Sequence, residues 1–333
     1  MSNAIEVAKI LVSPINKLID AVTGAIGKAY EPHHKRKMAD ATAYEITTVG
    51  EAMRNVTDMP VFYNKDGVSI NSDDLNRLIQ RTATRFVRQE VTKQCNIEQV
   101  VDSAYDILEQ EESCSEEPVE QTWLNRFFDS VANISDTDMQ KLWGKILAGE
   151  IKQPKTYSLR TLETLKNLSK YEAELFQKIV PYIVNLNGSL FLSSNSEILQ
   201  KHGILFGEIL RLDECGLINS SGLISLNPEV SSANFVGLYN RSKLVLLHGL
   251  KTSNVKVSIG AYGLTKAGKE LFNILDGNSN DEYIYNLAKD IAKKNCNKVK
   301  VYVHQINYFD VNGSINYEET ALCEFPTKNE DVS

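Results

Sequence analysis

Histidine and cysteine are the residues of this sequence best suited to metal binding or nucleophilic chemistry, and their spacing favours neither. No two of the five histidines are four residues apart, the spacing that places two imidazoles on one helix face for zinc. The five cysteines are odd in number and include no C-x-x-C pair, so neither a disulfide framework nor a cysteine-rich zinc site is predicted. Cys215 follows two acidic residues, whose charges raise a thiol pKa, and we interpret it as a small core residue.

Phosphate-binding glycine loops are also absent from the sequence. Neither G-x-x-x-x-G-K-[ST] nor G-x-G-x-x-G occurs. Gly144 and Gly149 lie inside a helical pattern, where we expect a close-packing position and a helix end. Four carboxylates remain open as a metal-binding nuclease set, but their helix and cap positions favour structural roles: Asp136, Asp138, Glu150 and Glu163. The sequence therefore predicts no catalytic residue, no bound metal and no cofactor, and favours a protein that is not an enzyme.

The charge balance limits which partners the chain can bind. The formal net charge is -7 and the isoelectric point is about 5.4, so a nucleic-acid surface would have to be a local basic patch. No apolar run reaches the roughly 18 residues of a membrane-spanning helix, and no signal-peptide pattern is present. We expect a cytoplasmic protein and no membrane role.

An apolar stripe near the N-terminus predicts an amphipathic helix over residues 4–29. Leu11, Ile15, Leu18 and Val22 recur at steps of four and three, which places them on one face. Pro14 predicts a kink or a helix restart. The stripe either joins the chain to a second copy or to a partner protein, or packs on the protein's own core. A basic segment over residues 28–37 and a second helix follow, completing a predicted region 1–56.

The next region, 57–118, is predicted to be helical after a loop or short hairpin at 57–72. Two helices are expected, over 73–95 and 97–108. Residues 109–120 contain six glutamates and predict a solvated linker or a frayed helix end, with an acidic patch for a basic partner as the alternative.

Residues 119–168 are predicted to form a helical array. Trp123, Phe127, Trp143 and Leu147 lie on apolar helix faces and are expected in one core. Asp136 is a predicted helix N-cap, and the S-x-x-E sequence from Ser169 to Glu172 is a capping box that starts the following region.

Residues 169–275 carry the order of a winged helix, a variant of the helix-turn-helix. The segments L-D-E-C-G-L-I and L-T-K-A-G-K-E-L carry this resemblance, with Gly216 as a left-handed C-cap and Thr265 as an N-cap. The runs 243–247 and 255–259 are predicted to pair as the wing hairpin.

The charged residues of the predicted winged helix favour one of its two possible functions over the other. Its third helix, about 205–217, carries Glu208, Asp213 and Glu214 against Arg211 alone, which disfavours phosphate contact and favours a protein partner. The alternative is nucleic-acid binding through basic wing residues: Arg241, Lys243, Lys251 and Lys256.

The segments L-W-G-K-I-L-A-G-E at 142–150 and S-L-R-T-L-E-T-L at 158–165 resemble an uncharacterised bacterial family, domain of unknown function 2806. The N-terminal A-I-G-K-A-Y-E-P is similar to the same group. The resemblance implies a bacterial cytosolic protein of a mobile or phage-defence region and implies no activity.

The predicted fold class is α+β, mostly α. It comprises N-terminal helices, a central helical array, a winged-helix-like domain and a small C-terminal α+β element; the predicted domains are 1–56, 57–118, 119–168, 169–275 and 276–333. The favoured function is a non-enzymatic protein-interaction or scaffold component of a cytosolic assembly, with a protein partner or homo-oligomer. The alternative is a winged-helix nucleic-acid-binding protein.

Overall fold

A computed structural model describes most of the chain. The described residues are 13–26, 61–64, 67–70, 77–221, 225–275, 277–310 and 313–326. The chain divides into two compact units, Met1–Lys166 and Asn167–Ser333. The predicted boundary at 168/169 lies two residues from this division, and the other three predicted boundaries fall inside a unit. Leu11, the basic segment 28–37 and the predicted helix after it lie outside the described residues.

The described part of unit 1 is helical apart from one hairpin. Its elements are α1 (Pro14–Ile26), β1 (Val61–Asn64), β2 (Gly67–Ile70), α2 (Arg77–Leu108), α3 (Gln121–Val131), α4 (Thr137–Lys152) and α5 (Leu159–Lys166). The helix α1 begins at Pro14, which suits a first turn because the amide that proline lacks has no helical partner there. Residues 4–12 of the predicted helix lie outside the described residues, so the predicted kink or restart stays a prediction. The strands β1 and β2 form the hairpin expected within 57–72.

The helix α2 corrects the prediction of two helices over 73–95 and 97–108. It runs unbroken for 32 residues because no glycine or proline interrupts it between those ranges. Asn96, at the predicted break, is buried, and its amide donates a hydrogen bond of 2.8 Å to the carbonyl oxygen of Ala132. That bond satisfies a polar side chain that would otherwise disfavour this interior position.

An aromatic cluster forms the core of unit 1 and confirms the predicted core residues. Trp123 stacks on Phe127 with ring centroids 5.1 Å apart, and Phe127 meets Trp143 edge-on at 5.4 Å. These rings and Leu147 are buried. Gly144 is a close-packing position, as predicted, since an added Cβ would lie 2.5 Å from the Cβ of Ser103 on α2. Gly149 lies within α4 and not at its end; a Cβ there would meet the ring of Tyr157.

The acidic segment 109–120 forms the irregular, mostly exposed connection between α2 and α3, and hydrogen bonds also fasten it to the rest of unit 1. The amide of Ser115 donates to the carbonyl oxygen of Lys152 at 2.9 Å, and Lys17 Nζ donates to the carbonyl oxygen of Ser115 at 2.8 Å. Glu111 also pairs with Lys152 at 2.6 Å. These bonds to Lys17 and Lys152 hold the segment against α1 and α4. The charge pattern of the segment does not predict them.

In its described residues, unit 2 combines five α-helices and a short 3-10 helix with an antiparallel sheet. Its helices are α6 (Lys170–Ile179), α7 (Ser196–Lys201), α8 (Phe206–Glu214), α9 (Lys266–Ile274) and α10 (Asp281–Lys294). Its strands are β3 (Val184–Leu186), β4 (Ser189–Ser193), β5 (Ile218–Asn219), β6 (Ser225–Leu226), β7 (Glu229–Val230), β8 (Val236–Tyr239), β9 (Lys243–Gly249), β10 (Val255–Lys256), β11 (Ile259–Leu264), β12 (Val299–Phe309), β13 (Ile315–Tyr317) and β14 (Cys323–Phe325). The molecule is thus α+β and mostly helical, as predicted.

The main sheet has the order β13-β12-β9-β8-β3-β4-β11-β5, with β14 also on β12 and β6 on β11. Val299, Val301 and Val303 alternate along β12 and are buried on the side that α10 covers. Within the sheet, β11 lies between β4 and β5, pairing Ala261 with Ser193 and Gly263 with Asn219.

The predicted wing hairpin of 243–247 with 255–259 is wrong. The strand β9 pairs with β8 and β12, while β10 pairs with β7. Five consecutive residues of β9 are buried, which fits a central strand covered on both faces rather than one arm of an exposed hairpin.

Across the described part of the chain, none of the helices combines the length and the apolar character that a bilayer crossing requires.

Candidate functional site

The helix α8 presents an apolar side to solvent. Ile209 and Leu212 anchor its inner side and are fully buried. On the outer side, Leu205, Phe206 and Leu210 are 59%, 58% and 43% exposed. Phe206 and Leu210 are one helical turn apart and share a face, and Leu205 is the N-cap residue beside them. We call these three residues the apolar α8 face; clustered exposed apolar side chains are typical of an interaction surface.

The turn before α8 fixes the direction of this face. Gly203 has a φ of 72°, a left-handed conformation that glycine adopts without a Cβ clash. The next residue, Ile204, is fully buried, and its amide donates to the carbonyl oxygen of Leu199 at 2.9 Å. This anchor sets where α8 begins.

The charged groups of α8 are largely engaged within unit 2. Glu208 accepts a bond of 2.7 Å from Lys178 Nζ and one of 2.9 Å from the amide of Leu205. Burial alone would raise the pKa of Glu208, but these hydrogen bonds outweigh it and the net shift is downward. Arg211 lies 3.8 Å from Glu172 and 5.8 Å above the ring of Tyr171. The one basic side chain of α8 is therefore already paired.

The end of α8 joins it to α9 and β5. Gly216 has the predicted left-handed φ, at 72°. The hydroxyl of Thr265, the confirmed N-cap of α9, donates to the carbonyl oxygen of Gly216 at 2.6 Å. At Gly268 an added Cβ would lie 2.0 Å from the carbonyl oxygen of Leu217, so only glycine fits there. The two segments that carry the winged-helix resemblance are in direct contact.

The predicted wing residues lie in different environments. Arg241 donates to the carbonyl oxygens of Gly277 and Leu275, the latter at 2.7 Å, and its guanidinium lies 5.2 Å from the ring of Phe272. Lys251 is exposed, and Lys256 is exposed 3.9 Å from Glu229.

Lys243 lies in the central strand β9, where its side chain is 7% exposed. Its Nζ pairs with Asp281 at 2.6 Å and donates to Gln305 Oε1 at 2.8 Å. A buried cation requires such partners, and this one does not reach solvent. The assignment of Lys243 as a nucleic-acid contact is therefore corrected to a structural ion pair. The sequence could not show this because the pairing strand and Asp281 are distant along the chain.

The predicted partner helix packs on its own chain. Leu18 and Val22 are fully buried and Ile15 is partly buried, with α1 against α3, α4 and α2. In this conformation the stripe stabilises unit 1, which was the alternative stated from the sequence.

A basic cavity of about 1020 Å³ in unit 1 was missed by the sequence analysis. Arg81, Arg85, Arg88 and Lys93 line it along α2. The signal was present as arginines at i, i+4 and i+7, a spacing that places them on one helix side. A net charge of -7 for the whole chain does not reveal this local row of basic residues.

Within the described residues, histidine, cysteine and carboxylate side chains form no group of three that could hold a metal ion. A family model described as "Protein of unknown function (DUF2806)" matches residues 80–288, more than half of the chain and parts of both units. No curated protein and no solved structure matches the chain.

Proposed function

We propose that this chain, which belongs to the DUF2806 family of proteins of unknown function, is a non-enzymatic interaction component that docks a partner protein on the apolar α8 face. The exposure of Leu205, Phe206 and Leu210 on a helix whose other side is firmly anchored carries the proposal. Burying such side chains against a partner gains roughly 1.5–3 kcal/mol for each that is fully covered. The component would serve a bacterial cytosolic assembly, of the kind expected in a mobile or phage-defence region.

The topology around α8 supports this docking role. The order α6, β4, α7, α8, β5, β11, with β11 between β4 and β5, supports a winged-helix-like arrangement with a long insertion between its last two strands. In that arrangement α8 takes the place of the helix that enters the DNA major groove. Apolar side chains at this place suit a protein surface better than a phosphate backbone.

The charges argue against DNA contact at the same place. Arg211 is engaged with Glu172 and Tyr171, and Glu214 is exposed. Of the four wing residues, Lys243 is buried and Arg241 is bonded to backbone carbonyls, which leaves Lys251 and Lys256. Two scattered lysines supply too few phosphate contacts for wing-led binding.

The test compares two double variants of the full chain captured from the bacterial host. Phe206→Ser with Leu210→Ser removes the apolar α8 face. Leu250→Ser with Leu322→Ser is the matched control, because both leucines are similarly exposed elsewhere in unit 2, at 49% and 48%. We expect one stoichiometric partner that is retained by the wild type and the control and lost from the α8 variant. A partner retained equally by both variants would place docking elsewhere.

A further inference from the structure

The cavity along α2 has a lining that is unusual for so acidic a chain. Four of its eleven lining residues are basic, none is acidic, and the rest are one alanine and six neutral polar residues: Thr84, Gln89, Thr92, Asn96, Asn133 and Ser135. The chain as a whole carries a net charge of -7. Phosphate groups are bound by hydrogen-bond donors, cationic ones above all, and are repelled by carboxylates. This lining supplies the donors and contains no carboxylate.

The arginines are arranged as a line. Arg81, Arg85 and Arg88 lie on one side of α2, and at 1.5 Å of rise per residue they span roughly 10 Å. The lining continues along the helix to Asn96, so the groove is roughly 22 Å long. A single nucleotide or phosphate ion would cover only part of that length, whereas a polymer of phosphates can meet all three guanidinium groups.

The three arginines are available to a ligand. All three are exposed, and no carboxylate in the described part of the chain pairs with them. Lys93 differs, because Glu90 holds its Nζ at 2.7 Å. Guanidinium groups bind phosphate oxygens in a bidentate manner and stay charged at any physiological pH.

The lining also indicates the form of nucleic acid. It contains no aromatic ring on which an unpaired base could stack. The amide of Asn96 is already committed to the carbonyl oxygen of Ala132 at 2.8 Å. Contacts would therefore be to the backbone, and a duplex, with one charge per roughly 1.7 Å of axis, offers the higher charge density.

We propose that the groove formed by Arg81, Arg85 and Arg88 on α2 binds duplex nucleic acid through its phosphates, without base recognition. This site lies in unit 1 and is independent of the apolar α8 face in unit 2. A variant that loses docking on the apolar α8 face can still be tested for nucleic-acid binding in the groove, and a variant that loses binding in the groove can still be tested for docking.

The experiment titrates the full chain into a fluorescent DNA duplex of about 20 base pairs and random sequence, at about 50 and 200 mM salt. Arg85→Gln with Arg88→Gln removes two groove cations. Arg160→Gln with Lys166→Gln removes two exposed cations of α5 in the same unit and the same formal charge. Circular dichroism melts of all three proteins establish that each is folded.

The groove variant should bind the duplex at least about tenfold more weakly at low salt. The slope of the logarithm of the binding constant against the logarithm of salt concentration should be smaller in magnitude by about 1.8, because each phosphate contact contributes about 0.9 to that slope. The control should match the wild type within about twofold, and the separated single strand should bind more weakly than the duplex. Three results overturn the proposal: no binding by the wild type at low salt, equal loss in both variants, or tighter binding of the single strand. Full displacement of the duplex by millimolar inorganic phosphate at constant ionic strength would reassign the groove to a small anion.

Discussion

The hydroxyl of Thr265 donates a hydrogen bond of 2.6 Å to the carbonyl oxygen of Gly216. It also caps α9 by accepting from the amide of Gly268 at 3.1 Å. One side chain thus closes the end of α8 and opens α9. This contact explains why the glycine-containing turn and the L-T-K-A-G segment occur together, although 49 residues separate the two partners.

Replacing Gly268 should test how tightly α9 approaches this turn. Gly268→Ala places a Cβ 2.0 Å from the carbonyl oxygen of Leu217, so backbone must move and we expect a loss of about 2 to 3 kcal/mol or more in the free energy of unfolding. Gly207→Ala is the control, because in the described part of the chain no atom outside its own helical turn and chain neighbours lies within 4 Å of a Cβ added there. It should be neutral or stabilising by about 0.5–1 kcal/mol. Urea unfolding measures both, and equal effects would refute the close approach.

The two tryptophans of unit 1 should respond differently to loss of the indole N–H. Trp123 Nε1 donates to the carbonyl oxygen of Tyr157 at 2.8 Å, whereas Trp143 Nε1 is buried and has no hydrogen-bond partner among the residues that the structure describes. We expect Trp143→Phe to cost less stability than Trp123→Phe, because only the second leaves an acceptor unpaired. Trp143→Ala should cost about 3 to 5 kcal/mol through the cavity. A larger loss for Trp143→Phe than for Trp123→Phe in urea unfolding would contradict this assignment.

The Lys243–Asp281 pair should make stability depend on pH. Burial alone would raise the pKa of Asp281, but hydrogen bonds from Lys243 and Ser242 outweigh it and lower that pKa below the usual 3.8. The stabilisation is therefore present above the unfolded-state pKa and is lost as the pH falls through the lower folded-state pKa.

At neutral pH, Asp281→Asn should cost about 1 to 3 kcal/mol, less than a fully buried pair because Asp281 is 46% exposed. The difference from the wild type should shrink below about pH 4. Glu324→Gln, which breaks the surface pair with Lys300, is the control and should cost at most about 1 kcal/mol. Thermal melts across the pH range check this; a constant difference would show that the charge pair is not the cause.

The thiol of Cys215 should be unreactive. Burial raises its pKa to about 11, and a hydrogen bond to Glu172 and the charge of that carboxylate add to the shift. The charges of Asp213 and Glu214 predict the same direction from sequence, but Cys215 is half-buried and is not the core residue expected. At pH 8 its thiolate fraction should be about a hundredfold below that of an ordinary thiol. Iodoacetamide labelling read by peptide mass spectrometry should modify exposed Cys296 first; equal rates would contradict the raised pKa of Cys215.

Local features of this fold were predictable from sequence, and long-range pairings were not. The caps at Asp136, Ser169 and Thr265 depend on neighbouring residues alone, and each is present. The burial of Lys243 depends on β12 and α10, which lie about 40 to 60 residues away.

The candidate site likewise has one feature that the sequence predicts and one that depends on how the helix packs. The acidic character of α8 was visible, whereas the exposure of Phe206 and Leu210 depends on which side Ile209 and Leu212 bury. The helix α8 has nine residues, and five large apolar residues lie within it or at its N-cap. The sequence pattern is therefore compatible with more than one orientation of α8 on its neighbours.

Photo-crosslinking from the apolar α8 face tests the central claim most directly. A benzophenone amino acid replaces Leu210 in one protein and Leu322 in another, since both leucines are exposed on unit 2. After irradiation in cells of the native host, position 210 should yield one discrete adduct whose mass corresponds to the chain plus a partner protein, and position 322 should not. No adduct from position 210, or the same adduct from both positions, would contradict docking on α8.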